Sequence, residues 1–267
     1  MKHPFLFSLV LVLFTLQSCQ EEIDLDIPGG TQKVVIESEV TTEMDSSFVK
    51  VTRTADYYSA NKNEPITNAT VTVNGTTFTH VNNGIYRPAS PYKGIIGQNY
   101  NLSVVADGNT YTASSILEPM FRIDTVFQVF KPAEGFFDEG YSINYIGFDD
   151  RPKIKYTYFR LGYFDTIVQR DSMFDNRILF NSDETPINVR YPFELPFTRF
   201  QKGEEVILIF RSVTKDMNDF IASYNEQASG APGPFQVPPA NLPTNIKGGA
   251  VGYFATYDLV RKRYTVR

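Results

Sequence analysis

The chain has 267 residues, with 30 acidic against 25 basic side chains, a formal net charge of −5, 22 Phe, 16 Tyr and no Trp. That length supports one large β domain or two smaller ones with cores of their own, while the charge excludes a nucleic-acid binder that works by covering phosphates with a basic surface. A single cysteine and two histidines exclude a disulfide framework and a His/Cys zinc site.

Residues 1–18 read as a signal peptide. Lys2 and His3 form a basic tip, and Phe5 to Leu16 is a run of Phe, Leu and Val with few interruptions, too short to cross the roughly 30 Å hydrocarbon core as a stable helix. The following Leu16-Gln17-Ser18-Cys19 resembles a bacterial lipobox, in which the thiol is diacylated and becomes the first residue of the mature chain. A lone cysteine elsewhere is a small buried hydrophobe or an unpaired surface thiol, but neither reading explains its place directly after an apolar run. Two or three acyl chains of the palmitate kind, at about 0.8 kcal/mol per buried methylene, hold a soluble body on a bilayer where one chain is marginal. Cleavage ahead of Cys19 leaves a net charge of about −6.

Residues 19–32 form an acidic tether, Glu21, Glu22, Asp24 and Asp26 leading to Pro28-Gly29-Gly30. Like charges keep such a linker extended and the proline-glycine break precedes folded structure. It reads either as an ordinary solvated linker or, since acids directly following the cysteine resemble it, as the export signal that certain Bacteroidota lipoproteins use to reach the outer face of the outer membrane.

Short alternating strands follow. Val34, Ile36 and Val40 mark the first, and Phe48 to Arg53 the second. Thr70 to Val73, Asn74-Gly75 and Thr76 to Val81 form the clearest hairpin, because Asn-Gly accepts positive φ at both central positions of a two-residue turn. Asn82-Asn83-Gly84 turns the chain again, and a last pair, Tyr100 to Ala106 and Thr110 to Ser114, reverses at Asp107-Gly108. Strands this short and regularly punctuated predict an Ig-like β-sandwich over 33–118.

Residues 119–267 are expected to form a second antiparallel β domain with one covering helix. Its strands are expected at Ile123–Val129, Ile154–Phe164, Thr166–Gln169, Asn176–Phe180 and Val206–Val213. Lys131 to Gly140 reads as a long loop whose Phe136 and Phe137 pack onto a sheet or a partner. Prolines exclude a central strand from Tyr191 to Phe197, leaving an edge or a lid. Met217, Phe220, Ile221, Tyr224 and Ala228 share one face of a helix over 215–229, with Thr214 or Asp216 able to cap its start. Five prolines crowd 232–243, and Gly248-Gly249 ahead of Ala250 to Phe254 permits close backbone approach or positive φ. Arg261-Lys262-Arg263 reads as a solvated turn.

These residues offer poor material for catalysis. His80 is the only histidine left after cleavage and lies in a hairpin strand, and there is neither a Gly-x-Ser-x-Gly elbow nor a cysteine nucleophile. The carboxylate pairs Asp149-Asp150, Asp171 with Asp175, and Asp138-Glu139 all read as solvated loop charges rather than a glycosidase pair. Oxygen-rich loops offer ligands for a structural Ca²⁺, but none has the spacing of a helix-loop-helix site. The double glycine precedes a strand instead of a helix, which is the wrong order for a phosphate cradle. No cofactor is expected beyond the lipid on Cys19, and the expectation is a protein that is not an enzyme.

The aromatic-proline segments fit binding better. Phe193, Phe197 and Phe235, with Phe136 and Phe137, are candidate partner-binding residues, since rigid aromatics gain contact area at low entropic cost. The competing reading is that each of them fills the core of the second domain.

The C-terminal text, Asp216-Met217, Phe220, Tyr224, Asn225, Gln227, Gly233-Pro234-Phe235, Pro238, Asn245-Ile246-Lys247-Gly248-Gly249-Ala250 and Gly252-Tyr253-Phe254, resembles the DUF4249 family of Bacteroidota lipoproteins. Ile23-Asp24-Leu25, Val34 to Glu37, Thr52 to Tyr57 and Ala69 to Val73 agree with it, while about 130 to 200 matches only in outline. Two departures are a compact middle and Thr244 where many members have Ser. The resemblance implies an outer-membrane lipoprotein, of a kind often encoded near TonB-dependent transporters and sometimes placed beside outer-membrane protein machinery. Together with the acidic tether and the aromatic-proline segments, the expectation is a lipid-anchored protein facing the cell surface that serves as accessory subunit of a β-barrel complex such as a TonB-dependent transporter or an assembly machinery. The alternative is a surface lipoprotein that binds a glycan or other nutrient.

Overall fold

The computed structural model describes residues 32–55, 63–148, 156–164, 178–182, 190–195, 199–229 and 242–267, all within one unit that runs from Gln32 to Arg267. Among them one helix accompanies three sheets.

The first sheet has eight strands: β1 (Val34–Thr41), β2 (Phe48–Arg53), β3 (Thr70–Val73), β4 (Thr76–Asn82), β5 (Ile85–Pro88), β6 (Asn99–Ala106), β7 (Asn109–Ile116) and β14 (Val251–Tyr257). Their order is β14-β1-β2-β5-β4-β3-β6-β7, antiparallel throughout except that β14 runs parallel to β1, with Val35 opposite Val251 and Thr41 opposite Tyr257. The strands form because apolar residues recur at every second position. Val34, Ile36 and Val40 point inward from β1, and Tyr100, Leu102, Val104 and Ala106 from β6. Asn74-Gly75, Asn83-Gly84 and Asp107-Gly108 each place two consecutive residues at positive φ, as a type I′ hairpin turn requires.

The expected Ig-like sandwich is not what forms. A sandwich needs two separately hydrogen-bonded sheets facing each other, whereas these eight strands belong to one ladder that curls until it is nearly closed into a barrel. All eight send side chains into a single core, from Ile36 and Val49 through Val71, Phe78, Tyr86 and Leu102 to Tyr111 and Phe254. Its two edge strands approach each other. Thr112 of β7 and Lys247, just ahead of β14, exchange main-chain hydrogen bonds of 3.1 and 2.7 Å, and the Ser115 and Thr256 hydroxyls meet at 2.9 Å in the interior. Alternation reveals which side chains face inward. It carries no information on whether the first and last edges meet, and here the closing strand arrives from the far end of the chain.

Closure depends on the Asn245–Phe254 segment. Gly252 lies at φ 107°, and a Cβ built there would stand 2.1 Å from the Ile36 carbonyl oxygen of β1, so only glycine lets the two backbones come this close. On the opposite edge of β14 side chains take the place of a neighbouring strand. The Asn245 amide donates to the Phe254 carbonyl at 2.7 Å and accepts from the Phe254 N–H at 3.0 Å, while the Thr244 hydroxyl donates to the Gly252 carbonyl at 2.7 Å.

The remaining strands form two antiparallel sheets over a second core. One has the order β12-β9-β8, from β8 (Arg122–Lys131), β9 (Gly140–Phe148) and β12 (Arg190–Glu194); the other has β11-β10-β13-β15, from β10 (Tyr156–Phe164), β11 (Ile178–Ser182), β13 (Glu205–Val213) and β15 (Leu259–Thr265). Ile123, Ile143, Leu195, Leu208, Phe210 and Val266 fill the space between them. Pro192 is tolerated because β12 is an edge strand, paired only with β9. The expected turn at Arg261-Lys262-Arg263 is instead part of β15, its charges supported by Glu43 for Arg261 and Glu205 for Arg263 at 3.0 and 2.8 Å.

Helix α1 (Lys215–Ser229) has the bounds its periodicity predicts, and Thr214 caps it by accepting from the Met217 N–H at 3.3 Å. Ile221, Met217 and Phe220 pack on Tyr253, Ala255 and Tyr257, with the Phe220 and Tyr253 rings 5.0 Å apart. α1 therefore covers the outer face of β14, whose inner face carries Phe254 into the barrel core. This explains the uninterrupted burial from Tyr253 to Tyr257.

Asp258, between β14 and β15, ties these parts together. One carboxylate oxygen accepts from the Thr42 hydroxyl at 2.9 Å and the other from the Met120 N–H at 2.8 Å, while its own N–H donates to Ser212 Oγ at 2.8 Å. Arg211 of β13 reaches Glu39 of β1 at 3.0 Å and lies over the Tyr257 ring at 4.8 Å.

Candidate functional site

The surface feature best equipped to meet another molecule is the end of the β8–β9 hairpin. The two strands pair from Arg122 opposite Phe148 to Lys131 opposite Gly140. Beyond that point the expected long loop is itself a small hairpin. Glu134 and Phe137 exchange two main-chain hydrogen bonds of 3.0 Å around Gly135 and Phe136, and Gly135 takes φ 61° at the first central position, where a II′ turn calls for glycine. Phe136 stands at the apex with its ring fully exposed, Phe130 is 53% exposed and Phe137 is 39% exposed.

The base of this projection is firmly held. Tyr141 and Phe200 exchange two main-chain bonds of 2.9 Å, and the Gln201 amide donates to the Glu139 carbonyl at 3.0 Å. Phe130 meets Tyr141 edge to face at 5.6 Å. Two of the nearby cations are engaged, while Lys202 is exposed. Lys131 pairs with Glu194 at 2.8 Å, holding that carboxyl below its ordinary range, and the Arg199 guanidinium lies over the Phe137 ring at 5.4 Å. The carboxylates of Glu134, Asp138 and Glu139 are exposed and make no ion pair among the described residues. The tip is thus an aromatic knob in an acidic setting.

The three described candidate aromatics do not gather in one place. Phe136 and Phe137 share the tip. Phe193 sits back along β12, half-buried, with its ring stacked 5.2 Å from Tyr145, which in turn meets Phe210 at 4.9 Å and Phe121 at 6.3 Å. That ladder of rings lies over the second core. Phe197, Phe235 and Cys19 lie outside the described residues, as do the acidic tether, the Thr166–Gln169 segment, most of the proline-rich stretch, and Asp149, Asp150, Asp171 and Asp175. Val129, expected only as the end of a strand, and Phe130 are exposed here as well, because β8 is the edge strand of its sheet and pairs with β9 on one side only.

Elsewhere, a shallow depression of about 600 Å³ lies beside Thr42, Gly94, Ile95, Ile96 and Asp258. Its one carboxylate already accepts from Thr42 and Met120. His80 is exposed on β4 and meets Tyr86 edge-on at 5.3 Å. Among the described residues no three His, Cys, Asp or Glu side chains cluster as metal ligands, and no helix is long and apolar enough to cross a membrane.

The fold and this surface define a mostly β protein: a nearly closed eight-stranded barrel, a second pair of sheets that projects an aromatic hairpin, and one helix among the described residues. The chain belongs to the family described as "Domain of unknown function (DUF4249)", which it matches over residues 20–263. No curated protein and no solved structure matches it.

Proposed function

We propose that this protein is a non-enzymatic accessory subunit of an outer-membrane β-barrel complex, such as a TonB-dependent transporter or an assembly machinery. In this reading it is anchored through lipid on Cys19 and faces the cell surface. The observation that carries the reading is the hairpin tip, where Phe136 is held fully exposed by a closed, ordered turn. Large aromatics kept out of the core at a rigid projection are what hot spots of protein interfaces are made from. The anchor draws support from the residues before the fold: a short apolar leader, a lipobox-like Leu16 to Cys19, and a family match that opens at residue 20, directly after that cysteine. The acidic residues that follow support the outward-facing assignment.

The test is purification from native outer membranes in mild detergent through a C-terminal tag, with companions identified by mass. A β-barrel protein recovered in near-equal amount is the expected outcome; the lipoprotein alone, also after crosslinking, would remove the subunit reading. Cys19→Ser should move the protein from membranes to the soluble fraction, and retention would overturn the anchor.

A further inference from the structure

We infer that the β8–β9 tip inserts Phe136 into an apolar socket of a protein partner whose rim is basic. This deepens the proposed subunit role and rests on it. Three observations combine. First, the knob is pre-formed: the Glu134–Phe137 bonds close the turn, and Tyr141 with Phe200 and Gln201 with Glu139 fix its base. Little conformational freedom therefore remains to be lost on docking. Second, apolar surface is concentrated here, with Phe130, Phe136 and Phe137 all exposed at one end of one hairpin. Third, the charge carried on the turn itself has one sign. Glu134, Asp138 and Glu139 are exposed and make no ion pair among the described residues, while Lys131 is held by Glu194 and Arg199 covers Phe137; the exposed Lys202 lies at the base, next to Gln201.

That charge decides between occupants. A bilayer surface attracts aromatic projections that are flanked by Lys and Arg, and anionic headgroups repel carboxylates. A second copy of the tip would bring two acidic rings together. A protein surface with Lys or Arg around an apolar pocket satisfies both the ring and its flanks, and such complementarity also speeds encounter and fixes register.

The experiment uses the full-length lipidated chain with a benzophenone amino acid in place of Phe136, irradiated in native membranes, with the crosslinked peptide mapped by mass. The expected product joins position 136 to an apolar segment of the companion flanked by Lys or Arg. Phe136→Ala should lower companion recovery at least tenfold with the circular dichroism spectrum unchanged, and the triple variant E134Q/D138N/E139Q should remove most of the salt dependence of recovery. Unchanged recovery with Phe136→Ala would overturn the tip assignment while leaving the subunit role standing; absence of any companion with the wild-type chain would remove the subunit role and this inference together. Crosslinking to a second copy would also overturn it. So would flotation of the unanchored Cys19→Ser chain with phosphatidylethanolamine and phosphatidylglycerol vesicles, if Phe136→Ala abolished that flotation.

Discussion

Replacing Gly252 with alanine should open the barrel at its closing seam. Two costs add. An L-residue at φ 107° lies in sparsely populated backbone space, at about 1–3 kcal/mol. The new Cβ would also stand 2.1 Å from the Ile36 oxygen and 2.9 Å from its carbonyl carbon, where real Cβ atoms essentially never come within 3.0 Å. The obstacle is main chain on both sides, so β14 must withdraw from β1 by roughly 1 Å, an overpacking cost of about 1–3 kcal/mol. The sum, about 2–6 kcal/mol, is a large part of the roughly 5–15 kcal/mol that holds a typical fold. Gly249→Ala is the matched control: its φ is 91°, yet nothing lies within 4 Å of its Cβ, so it carries only the backbone cost. Urea unfolding followed by circular dichroism, with hydrogen exchange on the β1 amides, should place Gly252→Ala well below Gly249→Ala and show faster exchange from Val35 to Thr41. Coincident midpoints and unchanged β1 protection would refute the argument that backbone contact at this glycine closes the barrel.

Asn245→Ala strips the Phe254 N–H and carbonyl of their partner on the edge facing away from β1, at a fully buried residue. The loss should be about 2–4 kcal/mol, read as a drop of several degrees in a thermal melt. Asp258→Ala takes away the acceptor of the Met120 N–H and of the Thr42 hydroxyl, which keeps only the bond it accepts from the Leu259 N–H, at the joint between barrel and second core. It should cost about 2–4 kcal/mol, with changes in amide shifts on both sides of the joint. Glu43 has its pKa lowered from 4.5, chiefly by its hydrogen bond to Arg261. A depressed carboxylate contributes stability that is present above its unfolded value and lost as pH falls through the folded one, so the Glu43 contribution should fade below about pH 4.5. Comparing acid titrations of wild type and Glu43→Gln measures it: the variant should lie lower near neutral pH and converge with wild type in acid.

Local chemistry was readable from the residues. Asn74-Gly75 and Asp107-Gly108 announce hairpins because few other residue pairs accept two positive φ values in succession. Thr214 and the spacing of Met217, Phe220 and Ile221 announce α1, because a helix needs both a cap and a face. Pairing between distant strands was not readable. β14 has the composition of any buried strand, and nothing in Val251 to Tyr257 says that its neighbour is Val34 to Thr41 or that the ladder is parallel. The double glycine signalled close approach without naming what approaches. In the candidate site, the aromatics of Lys131 to Gly140 drew notice, but exposure depends on what the fold brings near them. The same residue type ends fully exposed at Phe136 and half-buried against Tyr145 at Phe193.

The parallel seam between β1 and β14 also sets an order of events. A chain delivered N-terminus first presents β1 more than two hundred residues before its partner arrives. Until Val251–Tyr257 follows, the β1 edge offers open N–H and carbonyl groups to any extended segment nearby. Folding that waits on so distant a contact is slow and leaves a time window for mispairing. While it folds this chain should therefore need a chaperone on the β1 edge, and a version stopped at Ala250 should keep its hairpins yet fail to reach protease resistance.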